Sequence, residues 1–137
     1  MNTKFRAAMV IDDNNIDLYL ASKMISKSAF AERVLTFTSA VDALAYLQEH
    51  ARDPAALPEI MLVDIYMPMM SGFEFMEAFS GLPESVRRHC RAFITSSTID
   101  ERDIARTESD PLVEAFHEKP ISREFLEAIP GRRPASA

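Results

Sequence analysis

Short, nearly unbroken apolar runs recur along this chain, and between them apolar residues return every three to four positions. The runs suit strands covered on both faces of a sheet, and the spaced stretches suit helices laid over those faces. Residues 5–11 are nearly all apolar and stop at Asp12-Asp13-Asn14-Asn15, a cluster suited to a loop and a helix N-cap. Ile16, Tyr19, Leu20 and Met24 then recur at helical spacing and predict a first helix to about Ser28. Residues 33–37 read as a short second strand; Ser39 opens a capping box with Asp42, and Val41, Leu44, Ala45 and Leu47 mark the inner face of a second helix. Residues 52–58 hold two prolines and read as a loop into residues 60–63, the strongest buried-strand signal, which terminates on Asp64. After the turn Met67-Pro68-Met69-Met70-Ser71-Gly72, Phe73, Met76 and Phe79 line a short third helix ending near Gly81. A fourth strand over 91–94 leads into Thr95-Ser96-Ser97-Thr98, and 100–108 predicts a polar fourth helix with little apolar face beyond Ile104 and Ala105. Residues 112–116 form a fifth strand, Lys119-Pro120 turns the chain, and Ile121, Phe125, Leu126 and Ile129 line a last helix closed by Pro130 and Gly131. Five such alternations predict an α/β fold, a doubly wound five-stranded parallel sheet, because each parallel crossover needs a covering element.

With 137 residues, 47% hydrophobic and 26% charged, the chain has room for one compact domain, read as residues 1–130 with a short tail at 131–137. The formal charge of −6 argues against a general nucleic-acid binder, which needs clustered Lys and Arg. Arg132 and Arg133 make only a weak basic patch. Cys90 is the sole cysteine, so neither an intrachain disulfide nor a cysteine-based zinc site is available. His50, His89 and His117 are too far apart in sequence to suggest a shared metal, and the methionines suit gaps in core and loops. The N-terminal apolar run is too short for a signal peptide and nothing approaches the roughly 20 apolar residues of a membrane span, so a cytoplasmic protein without membrane contact is expected.

Asp12 and Asp13, Asp64, Thr95 and Lys119 each fall where a predicted strand ends. Strand ends of a parallel sheet share one edge, so three carboxylates, a hydroxyl and an ammonium would meet there. Like charges in a cleft repel, and the cluster is costly unless a cation or a transferred anion uses it. Singly, each has an ordinary reading: Asp-Asp as a solvated turn, Thr95 as a strand-end hydroxyl, Phe116 as core.

With these residues in this order within a five-unit pattern, the chain resembles the receiver domain of two-component response regulators. The resemblance covers residues 4–129 and rests on Asp12-Asp13, on Asp64 with Met67-Pro68 and Gly72, on Thr95, and on Lys119-Pro120. It implies a flavodoxin-like fold with strand order 2-1-3-4-5 and a site at the switch point beside the first and third strands. It implies Asp64 as phosphoacceptor and a Mg²⁺ site in which Asp13 is a direct ligand, Asp12 assists through water, and Asp64 and the Tyr66 backbone carbonyl complete the protein's share. General chemistry agrees, since a carboxylate can attack phosphorus and Mg²⁺ offsets its repulsion from the incoming anion. Lys119 and Thr95 would contact phosphoryl oxygens, a cis peptide before Pro120 would aim the lysine, and Phe116 would be a switch aromatic turning inward behind Thr95. The partners implied are a histidine kinase or histidine phosphotransfer protein as donor and a downstream protein target. With no output domain expected after Ala137, output would be phosphorelay or phosphorylation-gated docking on the face of the last strand and the helices flanking it. Such a chain is a signalling phosphoacceptor that assists its own phosphorylation and dephosphorylation.

Tyr66 and Ser97 occupy positions that tune phosphoryl lifetime in the family; an aromatic at Tyr66 could shield the acyl phosphate, and Ser97 lacks an acid or amide to orient water. Ser96 replaces a commoner alanine and Ser71 a commoner aspartate. A flavodoxin-type carrier is disfavoured because Asp12-Asp13 would repel a cofactor phosphate, and a haloacid dehalogenase-type phosphohydrolase because its two aspartates are separated by one residue. No Gly-x-x-x-x-Gly-Lys loop exists for a nucleotide triphosphatase. The serious rival is a degenerate receiver acting as a phosphorylation-independent docking module.

Overall fold

The computed structural model describes residues 2–131. In chain order its elements are β1 (Phe5–Ile11), α1 (Asn15–Lys27), β2 (Ala31–Phe37), α2 (Ala40–Glu49), β3 (Ile60–Asp64), α3 (Gly72–Phe79), α4 (Glu84–His89), β4 (Arg91–Ser96), α5 (Glu101–Glu108), β5 (Val113–Glu118) and α6 (Arg123–Ala128). The strands form one parallel sheet in the order β2-β1-β3-β4-β5, the flavodoxin-like order implied by the resemblance. The tail from Arg132, with Arg133, lies outside the described residues. Among the described residues no helix is long and apolar enough to cross a membrane.

Alternation along the central strands divides the core in two. Met9, Ile11, Met61, Val63, Ala92 and Ile94 lie beneath α2 and α3, where Ala43, Leu47, Phe75 and Phe79 cover them. Ala8, Val10, Ile60, Leu62 and Phe93 lie in the opposite layer, beneath Ile25 of α1 and Leu126 of α6. This two-sided burial is why the central runs are apolar throughout, whereas the edge strands β2 and β5 mix buried and exposed positions.

Several local expectations are corrected. The Ser39 side chain accepts from the Asp42 amide at 3.3 Å, but the reciprocal box forms at Ser71 and Glu74, with bonds of 3.1 and 2.9 Å. Glutamate is one methylene longer than aspartate and reaches back to the cap amide. In α2 the buried positions are Ala40, Ala43 and Leu47, while Val41 and Ala45 face solvent. In α1 three of the four residues that announced the helix face water: Ile16, Tyr19 and Leu20 are 70%, 61% and 50% exposed, while Met24 packs with Ala21 and Ile25 against the core. Helix α4 had no counterpart in the apolar pattern because a single side chain, Val86, anchors it in the core. Its charges suit the helix dipole, with Glu84 in the first turn and Arg87, Arg88 and His89 in the last.

Candidate functional site

β1 and β3 are neighbours in register, with Ile11 opposite Val63, so the residues at their carboxyl ends emerge side by side. Asp64 closes β3 and is 6% exposed; Asp12 follows β1, is 3% exposed, and accepts from the Asn14 amide at 3.0 Å. Asn14 in turn caps α1, accepting from the Ile16 and Asp17 amides, which turns the chain away and leaves Asp13 exposed. One carboxylate oxygen from each of Asp12, Asp13 and Asp64 lies within 4.8 Å of the others. Three converging hard oxygens form a group that could hold a divalent cation.

Lys119 enters from beyond β5, its amide donating to the Ser96 carbonyl at 2.8 Å, and the Lys119–Pro120 peptide is cis. Its Nζ sits 2.8 Å from Asp12, 2.9 Å from Asp17 and 3.2 Å from Asp64. Burial pushes the Asp64 carboxyl up to about 6, aided by the charge of Asp12 and opposed by Lys119. Burial also disfavours the Lys119 ammonium, but hydrogen bonds to Asp12 and Asp17 and the charge of Asp64 outweigh it and raise its pKa. The site therefore holds an ionisable carboxylate beside an ammonium that stays charged at neutral pH.

Thr95 pairs with Asp64 in the β3–β4 register and, with Asp12, Asp17 and Lys119, lines a cavity of about 20 Å³. Tyr66 and Ser97 are exposed on the loops after β3 and β4. The Tyr66 hydroxyl donates to Asp103 of α5, a bond that pushes the phenol pKa up. Phe116 stands apart from the carboxylates, half-buried in β5 along a groove of about 400 Å³ shared with Ile104 and Thr107 of α5. Gly72 begins α3 directly over the end of β3: its amide donates to the Ile65 carbonyl at 2.7 Å, and a Cβ there would lie 2.3 Å from the Asp64 carbonyl oxygen.

Asp17 was missed from the sequence. An acid in the first turn of a helix reads as a partner of the helix dipole, and its contact with Lys119 spans 102 positions.

Comparison with known proteins returns one consistent answer. The family model described as the response regulator receiver domain matches residues 8–129. A response regulator receiver protein from Dyadobacter fermentans has a crystal structure that superposes with a TM-score of 0.78 at 35% identity, covering 89% of this chain and 95% of that one. A two-component response regulator from Cytophaga hutchinsonii gives 0.83 at 26% identity, covering 89% and 91%. The probable methanogenesis regulatory protein FilR2 of Methanothrix harundinacea is 28% identical over 118 residues, 86% of this chain and 74% of that protein. With this match spanning nearly the whole described chain, and with the sheet order and the acidic strand ends in hand, the protein belongs to the response regulator receiver domain family.

Proposed function

We propose that Asp64 accepts a phosphoryl group from the phosphohistidine of a histidine kinase or a histidine phosphotransfer protein, and that the phosphorylated chain signals through protein contact. The observation that carries this reading is the Asp64 carboxylate, 3.2 Å from the Lys119 ammonium, with Asp12 and Asp13 oxygens within 4.8 Å. With a pKa of about 6, Asp64 is ionised at neutral pH and can attack. A carboxylate oxygen forms the O–P bond as the donor's P–N bond breaks. The electron pair stays on the imidazole nitrogen, which takes up a proton from solvent. Lys119, 3.2 Å from Asp64, and Thr95, its register partner, would donate to phosphoryl oxygens as charge moves onto them.

Asp12, Asp13, Asp64 and the Tyr66 backbone carbonyl would hold Mg²⁺. The carboxylate oxygens lie within 4.8 Å of one another, slightly more than the roughly 4.2 Å across an octahedral shell with bonds of about 2.1 Å, so the residues fit the ion with Asp12 reaching it through water. When bound it supplies positive charge that offsets the repulsion between carboxylates and phosphoryl group.

Two surfaces support the partner side of the proposal. The exposed Ile16, Tyr19 and Leu20 ridge shares α1 with Asp17 and suits the docking of a donor beside the site. The α5–β5 groove, lined by Ile104, Val113 and Phe116, suits a target that senses Thr95 and Phe116. Tyr66 and Ser97, on the rim, are the residues proposed to set phosphoryl lifetime. Incubation with a small acyl phosphate and Mg²⁺, followed by intact mass, is expected to show one phosphoryl adduct that Asp64→Asn abolishes. An adduct that survives the substitution moves the acceptor elsewhere, and no adduct in the wild type favours the phosphorylation-independent docking module.

A further inference from the structure

Lys119 has three N–H donors and three carboxylates around it, and the distances are unequal. Asp12 and Asp17 receive hydrogen bonds at 2.8 and 2.9 Å, and Asp64 lies beyond them at 3.2 Å. Asp12 and Asp64 also belong to the group able to hold a cation; Asp17 does not. Its carboxylate instead meets the ammonium from the first turn of α1, held in direction by the Asn14 cap. The lysine side chain is 10% exposed and that of Asp17 31%, so the pair is partly shielded from water yet open to competition from an arriving anion.

We propose that Asp17 is a positioning residue that holds the Lys119 ammonium on the α1 side of the site in the unphosphorylated chain, so that an arriving phosphoryl group must draw it away. The inference rests on Asp64 as acceptor and adds a fourth carboxylate to its control. Neutralising Asp17 weakens its hold on one N–H of Lys119, leaving it more available to the phosphoryl oxygen, and removes a competing negative charge. A plain helix-end acid would stabilise α1 through the dipole and leave Lys119 unaffected.

The test compares wild type, Asp17→Asn, Asp17→Ser and Asp17→Glu. Beryllofluoride with Mg²⁺ serves as the phosphoryl analogue, measured by calorimetry, and the half-saturating concentration of a small acyl phosphate is measured alongside the maximal rate. Asp17→Asn and Asp17→Ser are expected to bind the analogue about three- to tenfold tighter, the effect of about one charge-assisted hydrogen bond returned to the ligand. Half-saturation should fall in parallel, and Asp17→Glu should return towards wild type. In metal-free protein, exchange of the Lys119 ammonium protons, followed by NMR, should quicken in both neutral variants. Having two neutral variants keeps a folding defect in one from deciding the outcome. Phosphorylation of the wild type with unchanged or weaker analogue binding in the folded neutral variants overturns the role of Asp17 alone. Failure of the wild type to take a phosphoryl group overturns the acceptor reading and this one with it.

Discussion

Burial and the charge of Asp12 lift the Asp64 carboxyl from an ordinary 3.8 to about 6, so between these values the folded chain binds a proton that the unfolded chain has released. Stability then falls as pH rises through that window: the contribution of the protonated form is complete below about pH 4 and lost above about pH 6. A rise of that size corresponds to roughly 3 kcal/mol. Asp64→Asn mimics the neutral form, so in EDTA at pH 7 it is expected to be about 2–3 kcal/mol more stable than wild type in urea unfolding, with the gap closing near pH 4. Equal stability of the two proteins at pH 7 would remove the case for a strained Asp64 carboxylate. The acids at strand ends were legible because burial of a strand leaves its last polar residue conspicuous. Asp17 was not, because nothing near it in sequence indicates the lysine it meets.

At the scale of elements, strands read more clearly than helices. β1, β3 and β4 are covered on both sides, so their apolar runs match the observed elements to within a residue or two. Helix faces were less legible: in α1 the exposed Ile16, Tyr19 and Leu20 mimic an inner stripe, and in α2 the sheet contacts Ala40 and Ala43, whose small side chains carry little hydrophobic signal. The end of α1 carries a local strain that can be tested. Ala29 has φ 53°, and its amide and that of Phe30 donate to the Ser26 and Ile25 carbonyls at 3.2 and 3.1 Å, the pattern of a Schellman cap. Glycine adopts that left-handed conformation without the clash of a Cβ, so Ala29→Gly is expected to stabilise the protein by about 0.5–1 kcal/mol in urea unfolding. A destabilised variant would mean that the Ala29 methyl contributes more through packing than it loses through its backbone.

For the whole molecule, the site exists only because the sheet assembles in this strand order: Asp12 and Asp13 come from one strand end, Asp64 from its neighbour, and Lys119 from beyond the far edge strand. A cation held by that group stabilises the folded state alone. Mg²⁺ at about a hundred times its Kd is therefore expected to add about 2.7 kcal/mol, seen as a rise in Tm that EDTA reverses. The rise should shrink in Asp13→Asn, and in the wild type below pH 6 as Asp64 takes up a proton. A Tm indifferent to Mg²⁺ would argue against these carboxylates as its ligands. The sequence by itself determined where the chain is buried on both faces, which polar residues lie within a residue or two of each strand end, and so which acids, hydroxyl and ammonium were available for chemistry. These follow from neighbours a few positions apart, which hydrophobic periodicity encodes directly. Only the tertiary structure decided that Asp17 shares Lys119, that Gly72 presses on the end of β3, and that the apolar ridge of α1 faces water. Those depend on packing between segments separated by up to a hundred residues, and no local pattern carries that information.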